Sequence, residues 1–456
     1  MTAPNHQPRL RLPSCLRLAV SPGGPLHVGT ARIVLANWLL ARRLGGHVTL
    51  RLDDTEGARD TIGSPDAIRH DLGWLGLDWD EEARQSDRSD RYNAAAETLK
   101  AAGRLYPCFE SEAELNAKRE RRLRQGNPPI YDRAMLKLTQ AQRAAAEAGG
   151  KRPYWRFRLS DSTIAWDDVA LGRRQVKLPT LSDPVMIRAD GTPLAAFAGG
   201  VDDLEDGITH LVRGEDLAHT TAVQLDLAAA LGRDPAAIAR AHLPALADAE
   251  GDRLSRRAGN FSIRALRQLG VEPAALIATL ARLGSCAEPR PMTPAELAAT
   301  DCLAGIAPTS PRFDMRALLA VNRQALAQIP FAGVADRLPP GATEAFWQAV
   351  RGSLDLLSEA RGYWDVVAGT IVPPVIDGEA AFLRAALDTL PAEPWDGSVW
   401  TAWTEALKQC TGRTGKSLTL PLRLALTGEE RGPALQALLP LIGRPRAAQR
   451  LAVAAS

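Results

Sequence analysis

Apolar residues crowd a six-residue run, CLRLAV (15–20), and then give way to SPGGPLHVGT, which is broken by two prolines and three glycines. From His27 to Arg43 apolar positions return at helical spacing, and Gly45-Gly46 stops them. HVTLRLDD (47–54) then alternates, which predicts a strand with Val48, Leu50 and Leu52 on one face. Strand, glycine loop, helix, strand is the opening of a doubly wound, parallel-sheet (Rossmann-type) α/β fold. Ligands of such sheets gather beyond the carboxyl ends of the strands. The glycine loop and the pair Asp53/Asp54 are expected at that end.

Residues 86–185 break the pattern. ESEAELNAKRERRLRQGNPPIYDR predicts a charged helix that stops at Gly126, and PYWRFRL and STIAWDDVALGRRQVKL predict strands. This is expected to be an α+β module inserted into the nucleotide fold. Strand-and-turn grammar resumes at SDPVMIRADGTPLAAF and ends with GITHLVRGEDL. Beyond about residue 265 strand signals fade, and residues 311–456 read as an all-helical domain built on Ala and Leu at helical spacing. The division expected is 1–85 with 186–250 for the α/β domain, 86–185 for the insert, 251–310 for a basic loop with connecting helices, and 311–456 for the helical domain. Trp347, Trp364, Trp395, Trp400 and Trp403 are expected in the helical core.

At 456 residues the chain is too long for one ordinary core, which agrees with several domains. Its formal net charge of +2 neither demands nor excludes nucleic acid, because binding needs only a local basic face. Cys15, Cys108, Cys286, Cys302 and Cys410 form no C-x-x-C pair, which argues against a zinc ribbon or redox motif and fits a reducing cytosol. The start, MTAPNHQPRLRLPS, has no long apolar run, and no stretch reaches the roughly 18 apolar residues of a membrane span. A cytoplasmic protein without a membrane segment is expected.

Two stretches carry chemistry. His27 follows the glycine loop at a helix start, where unpaired backbone N–H groups favour anions. It could donate to a phosphate, or it could simply cap the helix. The loop matches neither G-x-G-x-x-G nor the P-loop pattern. DRLSRRAGN (252–260) sets three arginines and a serine together. It could clamp a polyphosphate through guanidinium forks, or be a solvated basic loop.

Together, a histidine-glycine motif and a basic loop about 230 residues later resemble the paired signatures of class I aminoacyl-tRNA synthetases. The ordered set RLAVSPGGPLHVGTAR, LRLDDTE, SDPVMIRADGTP, GGVDDLEDGITHLVRGEDL, DRLSRRAGNFSIR and TGRTGKSLTLPLRLALTG is similar to bacterial glutamyl-tRNA synthetases over nearly the whole chain. The resemblance implies ATP, with Mg²⁺, as substrate, glutamate and a glutamate-accepting tRNA as partners, and a monomer. It implies that Ser21, Pro22, Gly23, Gly24, His27, Gly29, Arg253, Leu254, Ser255, Arg256 and Arg257 bind ATP, with His27, Gly29 and Arg256 acting in catalysis. For glutamate it implies Arg17, Ala19, Ser21, Asp53, Ala195, Gly199 and Arg213. In that scheme Asp53 meets the α-ammonium and Arg213 the side-chain carboxylate, the insert takes the acceptor end of tRNA, and the helical domain reads the anticodon. A structural partnership of Arg213 with Glu215 or Asp216 is the plainer alternative.

The departures are local. Arg253 and Arg256 stand where the family has lysines, Ala195 where it has tyrosine, Gly199 where it has asparagine, serine or valine, and Leu217 where histidine is frequent. These changes are expected to enlarge or reshape the amino-acid pocket. Cys108 has no cysteine neighbours, so no zinc site is expected. A tRNA-binding paralogue with weakened or lost catalysis is the alternative function, as is a glutamylating enzyme with altered tRNA choice.

Overall fold

The computed structural model describes residues 14–55, 64–254, 261–301 and 303–456. The first 13 residues and Ser255, Arg256 and Arg257 of the basic loop lie outside the described residues. The chain divides into two compact units, Met1–Ala265 with Ile277–Asp314, and Leu266–Leu276 with Met315–Ser456.

The first unit opens with β1 (Cys15–Val20), α1 (Val28–Arg43), β2 (His47–Leu52), α2 (Pro65–Trp74) and β3 (Glu81–Arg84). The strands form a parallel sheet in the order β1-β2-β3, with Arg17 beside Thr49 and Val20 beside Leu52. The strand expected over 47–54 spans His47–Leu52, with Val48, Leu50 and Leu52 on one face. β2 lies between two partners, and Val48 through Leu52 are all buried, Thr49 and Arg51 included. Covering both faces of a parallel sheet buries both sets of side chains.

Next come α3 (Ser89–Ala101), β4 (Leu105–Cys108), α4 (Glu112–Arg124), α5 (Gln140–Ala148), β5 (Tyr154–Phe157), β6 (Thr163–Asp168), β7 (Gly172–Lys177) and β8 (Val185–Ile187). Helix α4 starts at a reciprocal Ser111–Glu114 capping box and stops before Gly126, whose φ of 72° suits glycine. Strands β4, β5 and β8 form an antiparallel sheet. The β6–β7 hairpin joins elsewhere. After α6 (Ala195–Glu205), β9 (His210–Gly214) and α7 (Ala218–Ala230), strand β10 (Ala239–Leu243) pairs in parallel with both β9 and β6.

Strand β9 meets β1 at one end, where Thr209 N–H donates to the Cys15 carbonyl at 2.9 Å. Further along, the side chain of Asn37 on α1 stands in for a strand. Its Oδ1 accepts from Val212 N–H at 2.9 Å, and its Nδ2 donates to Val212 C=O at 2.8 Å. Both backbone groups of a buried residue are thereby satisfied without a ladder.

The described elements beyond β10 are helical: α8 (Ile263–Leu269), α9 (Pro273–Arg282), α10 (Pro294–Ala298), α11 (Met315–Gln328), α12 (Glu344–Val350), α13 (Ala360–Ala368), α14 (Ala380–Asp388), α15 (Val399–Thr411), α16 (Lys416–Thr427), α17 (Leu435–Ile442) and α18 (Arg444–Ala454), with short 3₁₀ turns. In the second unit Trp347 and Trp403 are fully buried, and Trp364, Trp395 and Trp400 pack against the same core, as expected. Arg450 crosses that core and donates to the carbonyls of Leu426 and Val366, each at 2.7 Å. Among the described residues, no helix is long and apolar enough to cross a membrane.

Candidate active site

His27 is the N-cap of α1. Its backbone is extended, and Nδ1 accepts the N–H of Gly29 at 3.2 Å. The two sequence readings of His27 are therefore compatible, because the capping ring also sits at the helix's positive end. A Cβ on Gly29 would lie 3.4 Å from Nδ1, so a side chain there would crowd the imidazole. Ser21 and Gly23 are exposed in the preceding turn.

The stretch around His27 forms an antiparallel bridge with the residues that follow the basic loop. Val28 N–H donates to Phe261 C=O at 2.9 Å, and Ile263 N–H donates to Leu26 C=O at 2.8 Å. On the other side of that loop, Leu254 N–H donates to Leu246 C=O at 2.9 Å, and the exposed Arg253 pairs with Asp216 at 2.8 Å. Both flanks of residues 255–260 are anchored in this unit.

A buried charge cluster joins β1, β2, β9 and α6. Arg17 grips Asp203 on α6 with Nε at 2.8 Å and Nη2 at 3.2 Å. Arg51, 2% exposed, donates from Nη1 to Asp203 at 2.6 Å and from Nε to Asp53 at 2.7 Å. Asp53 is thus already engaged by a cation from its own strand. Burial works against the charge on Arg51, and Asp53 and Asp203 more than offset it. Burial would likewise raise Asp203, but Arg17 and Arg51 hold it well below the usual carboxylate range.

Arg213 is 5% exposed and differently placed. Its Nη1 donates to Gln224 Oε1 at 2.8 Å and to Thr221 Oγ1 at 3.3 Å, while Nη2 stands 3.7 Å from Asp203. Its Nε is buried without a hydrogen-bond partner. Burial, and then the nearby Arg17, push the guanidinium down to about 9. The partnership of Arg213 with Glu215 or Asp216 is replaced. Glu215 pairs with Arg174 of β7, and Asp216 pairs with Arg253.

Gly199 brings α6 close to this cluster, since a Cβ there would meet Arg51 Nη2 at 3.3 Å. Ala195 opens α6 and is exposed. Ala19 is half-buried on β1. An open cleft of about 270 Å³ is lined by Asp54, Gln85, Ser86, Tyr92, Asp190 and Thr192. Among the described residues, no group of three or more His, Cys, Asp or Glu side chains is arranged to hold a metal.

The sequence reading did not single out Arg51, Asp203, Thr221 or Gln224. The signals were an arginine inside an otherwise buried strand and the pair Asp202-Asp203 inside an apolar helix, where a charge without a partner is costly.

A split parallel sheet with a histidine-capped first helix, bridged to the segment after a basic loop, defines the catalytic domain of a class I aminoacyl-tRNA synthetase. Residues 15–298 match the family described as tRNA synthetases class I (E and Q), catalytic domain, and residues 376–455 match an anticodon binding domain. The chain belongs to this glutamyl and glutaminyl (E and Q) family of class I synthetases. It is 57% identical over 440 residues to "Glutamate--tRNA ligase 2" of Gluconacetobacter diazotrophicus, covering 96% of this chain and 99% of that one. It is 58% identical over 439 residues to the protein of the same name from Acidiphilium cryptum, again covering 96% and 99%. Its fold is similar to the crystal structure of glutamate-tRNA synthetase from Elizabethkingia anophelis, with a TM-score of 0.83, 25% identity, and 96% and 99% of the two chains covered.

Proposed function

We propose that this protein joins glutamate to tRNA in two steps. The α-carboxylate of glutamate attacks the α-phosphorus of ATP, supplied with Mg²⁺, and pyrophosphate leaves. The 2′-hydroxyl of the tRNA's terminal adenosine then attacks the acyl carbon, and AMP leaves. The protein forms no covalent bond and contributes positioning and electrostatic stabilisation.

The residue roles follow the site. His27, at the positive end of α1, donates to ATP phosphate as charge develops on it, and Gly29 leaves that ring room. The turn from Ser21 through Pro22, Gly23 and Gly24 lines the adenylate. Arg253, Leu254, Ser255, Arg256 and Arg257 supply cationic closure over the leaving pyrophosphate. Asp53 and the β1 end at Ala19 face the substrate's ammonium. The basic face of α4 contacts the acceptor end, and the helical unit reads the anticodon. The unpaired thiols among the described cysteines suit a reducing cytosol.

One observation carries the choice of substrate. Arg213 is a buried cation whose Nε lacks a partner, whereas Arg17 is already held bidentately by Asp203. A buried guanidinium with an unused donor calls for an anionic oxygen. Gly199 opens no pocket space here, because Arg51 Nη2 already lies 3.3 Å from where a Cβ would stand. The names of the curated relatives support the same substrate. The test is pyrophosphate exchange and aminoacylation by the purified protein with glutamate, glutamine and aspartate. Glutamate should support charging far better than the other two. A protein that binds tRNA but exchanges pyrophosphate with no amino acid, with or without tRNA, would be a non-catalytic paralogue.

A further inference from the structure

Thr221 and His242 are both fully buried, and Asp168 is nearly so; the charging chemistry uses none of the three directly. They form one chain that ends on Arg213. Asp168 closes β6, and its Oδ1 accepts backbone N–H groups of Ala170 at 3.1 Å, Leu171 at 3.0 Å and His242 at 3.1 Å. Its Oδ2 meets His242 Nδ1. These donors favour the ionised carboxylate. Burial raises Asp168, and the bonds from His242 and the backbone outweigh it. A carboxylate only accepts, so His242 Nδ1 carries a proton. His242 Nε2 then lies 2.8 Å from Thr221 Oγ1.

Hydrogen-bond accounting fixes the last link. Arg213 Nη1 can only donate, so Thr221 Oγ1 must accept from it. The single Thr221 hydrogen turns either to His242 Nε2 or to Leu217 C=O, which is 3.1 Å away. In both arrangements a lone pair of Oγ1 remains for Arg213. Asp168 fixes the ring, the ring fixes the hydroxyl, and the hydroxyl with Gln224 fixes one Nη of Arg213, leaving Nε without a partner.

We propose that Thr221, held in place by the buried Asp168–His242 pair, is a positioning residue for amino-acid selection, acting through the orientation of Arg213. This rests on the reading of Arg213 as the group that meets the side-chain carboxylate. A purely structural chain joining β6, β10 and α7 would alter stability or all kinetic constants together. A positioning chain changes the glutamate constant alone.

The test uses the full-length protein in aminoacylation of glutamate-accepting tRNA, with thermal melts alongside. Thr221→Val removes the hydroxyl at equal volume, Thr221→Cys replaces it with a weakly accepting sulfur, and Thr221→Ser keeps it. Losing one hydrogen bond to a charged group is expected to raise KM for glutamate roughly tenfold in Thr221→Val and Thr221→Cys, with KM for ATP and kcat within about twofold. Thr221→Ser should stay within about threefold of wild type in every constant. If Thr221→Val is not recovered folded, the Cys and Ser pair decides. Equal KM for glutamate in the folded Ser variant and a folded hydroxyl-less variant overturns the proposal, as does a parallel rise in KM for ATP. Arg213→Ala, measured beside them, separates the two ideas. A raised glutamate KM there with no effect at Thr221 refutes only the positioning role, while no effect at Arg213 refutes the underlying reading.

Discussion

His27 and Ser262 face each other across an antiparallel bridge, with Val28–Phe261 and Ile263–Leu26 backbone bonds on either side. Some 230 residues of chain separate them. The bridge places the exit of the basic loop against the first turn of α1, so two weak sequence signals become one site.

His27 caps α1 and is the proposed phosphate donor, and substitution tells the two duties apart. His27→Ala removes the N-cap and the imidazole donor. The cap is worth about 1 kcal/mol of stability. The donor is worth about 3–4 kcal/mol of transition-state stabilisation, or roughly 10²–10³ in rate. His27→Asn restores an acceptor for Gly29 N–H, so it should melt like wild type and still lose the rate. Pyrophosphate exchange within twofold of wild type in His27→Asn would reduce the residue to a cap.

Asp203 lies within ion-pair distance of three arginines, so its loss is expected to be severe. Asp203→Asn leaves Arg17 and Arg51 buried without their shared carboxylate, at a cost of about 3–5 kcal/mol at pH 7. The pH dependence has a definite sign. The folded-state pKa of Asp203 lies below its unfolded value of roughly 3.9, so its stabilisation is complete at neutral pH and is lost as pH falls through the folded value. The gap between wild type and variant in urea unfolding should therefore be largest near neutrality and shrink below about pH 4. A gap that is constant or grows with acid contradicts this pairing.

The opening strand, loop, helix and strand and the helical end of the chain were legible because each of those elements carries its own period and its own stop signal. The charge cluster was not. Arg51 sits at a position that alternation assigns to an outer face, and only a second sheet partner and a covering helix show why it is buried. Its partner Asp203 lies 152 residues away, beyond the reach of any local pattern. Arg17, Asp53 and Arg213 were singled out through motif resemblance, which does not reveal that Asp203 and Arg51 already engage two of them. Helical spacing likewise marks where strands end, but not that Leu266–Leu276 shares a compact unit with Met315–Ser456.

That short segment should prove necessary to the helical unit. Asn322, fully buried on α11, accepts Glu272 N–H at 2.6 Å and donates to Asp355 C=O at 2.7 Å. Glu272 also pairs with Arg337 at 2.9 Å. A fragment of residues 315–456 loses Glu272, and with it the donor to Asn322 Oδ1 and the partner of Arg337, while 266–456 keeps both. Leaving a buried polar group unsatisfied costs about 1–3 kcal/mol, which should lower the melting temperature of the shorter fragment by roughly 5 °C or more. Equal melting temperatures would show that the segment is dispensable.

Arg213 offers the sharpest test of substrate choice. A buried carboxylate is costly unless paired, so a ligase that takes glutamate in preference to glutamine needs a fixed cation at the side-chain end. Arg17 is a poor candidate for that task because Asp203 already holds two of its nitrogens. Arg213 keeps an unused donor, and the family's tyrosine is Ala195 here, so fewer neutral groups remain to share the work. Arg213→Ala is expected to lower kcat/KM for glutamate by roughly 10²-fold or more, the scale of removing one partner from a buried charge pair. Activity with glutamine should fall much less, because a neutral amide leaves no charge unpaired. Steady-state aminoacylation of glutamate tRNA with each amino acid measures the ratio directly. Equal losses for the two would make Arg213 a structural residue and move recognition of the carboxylate to another cation.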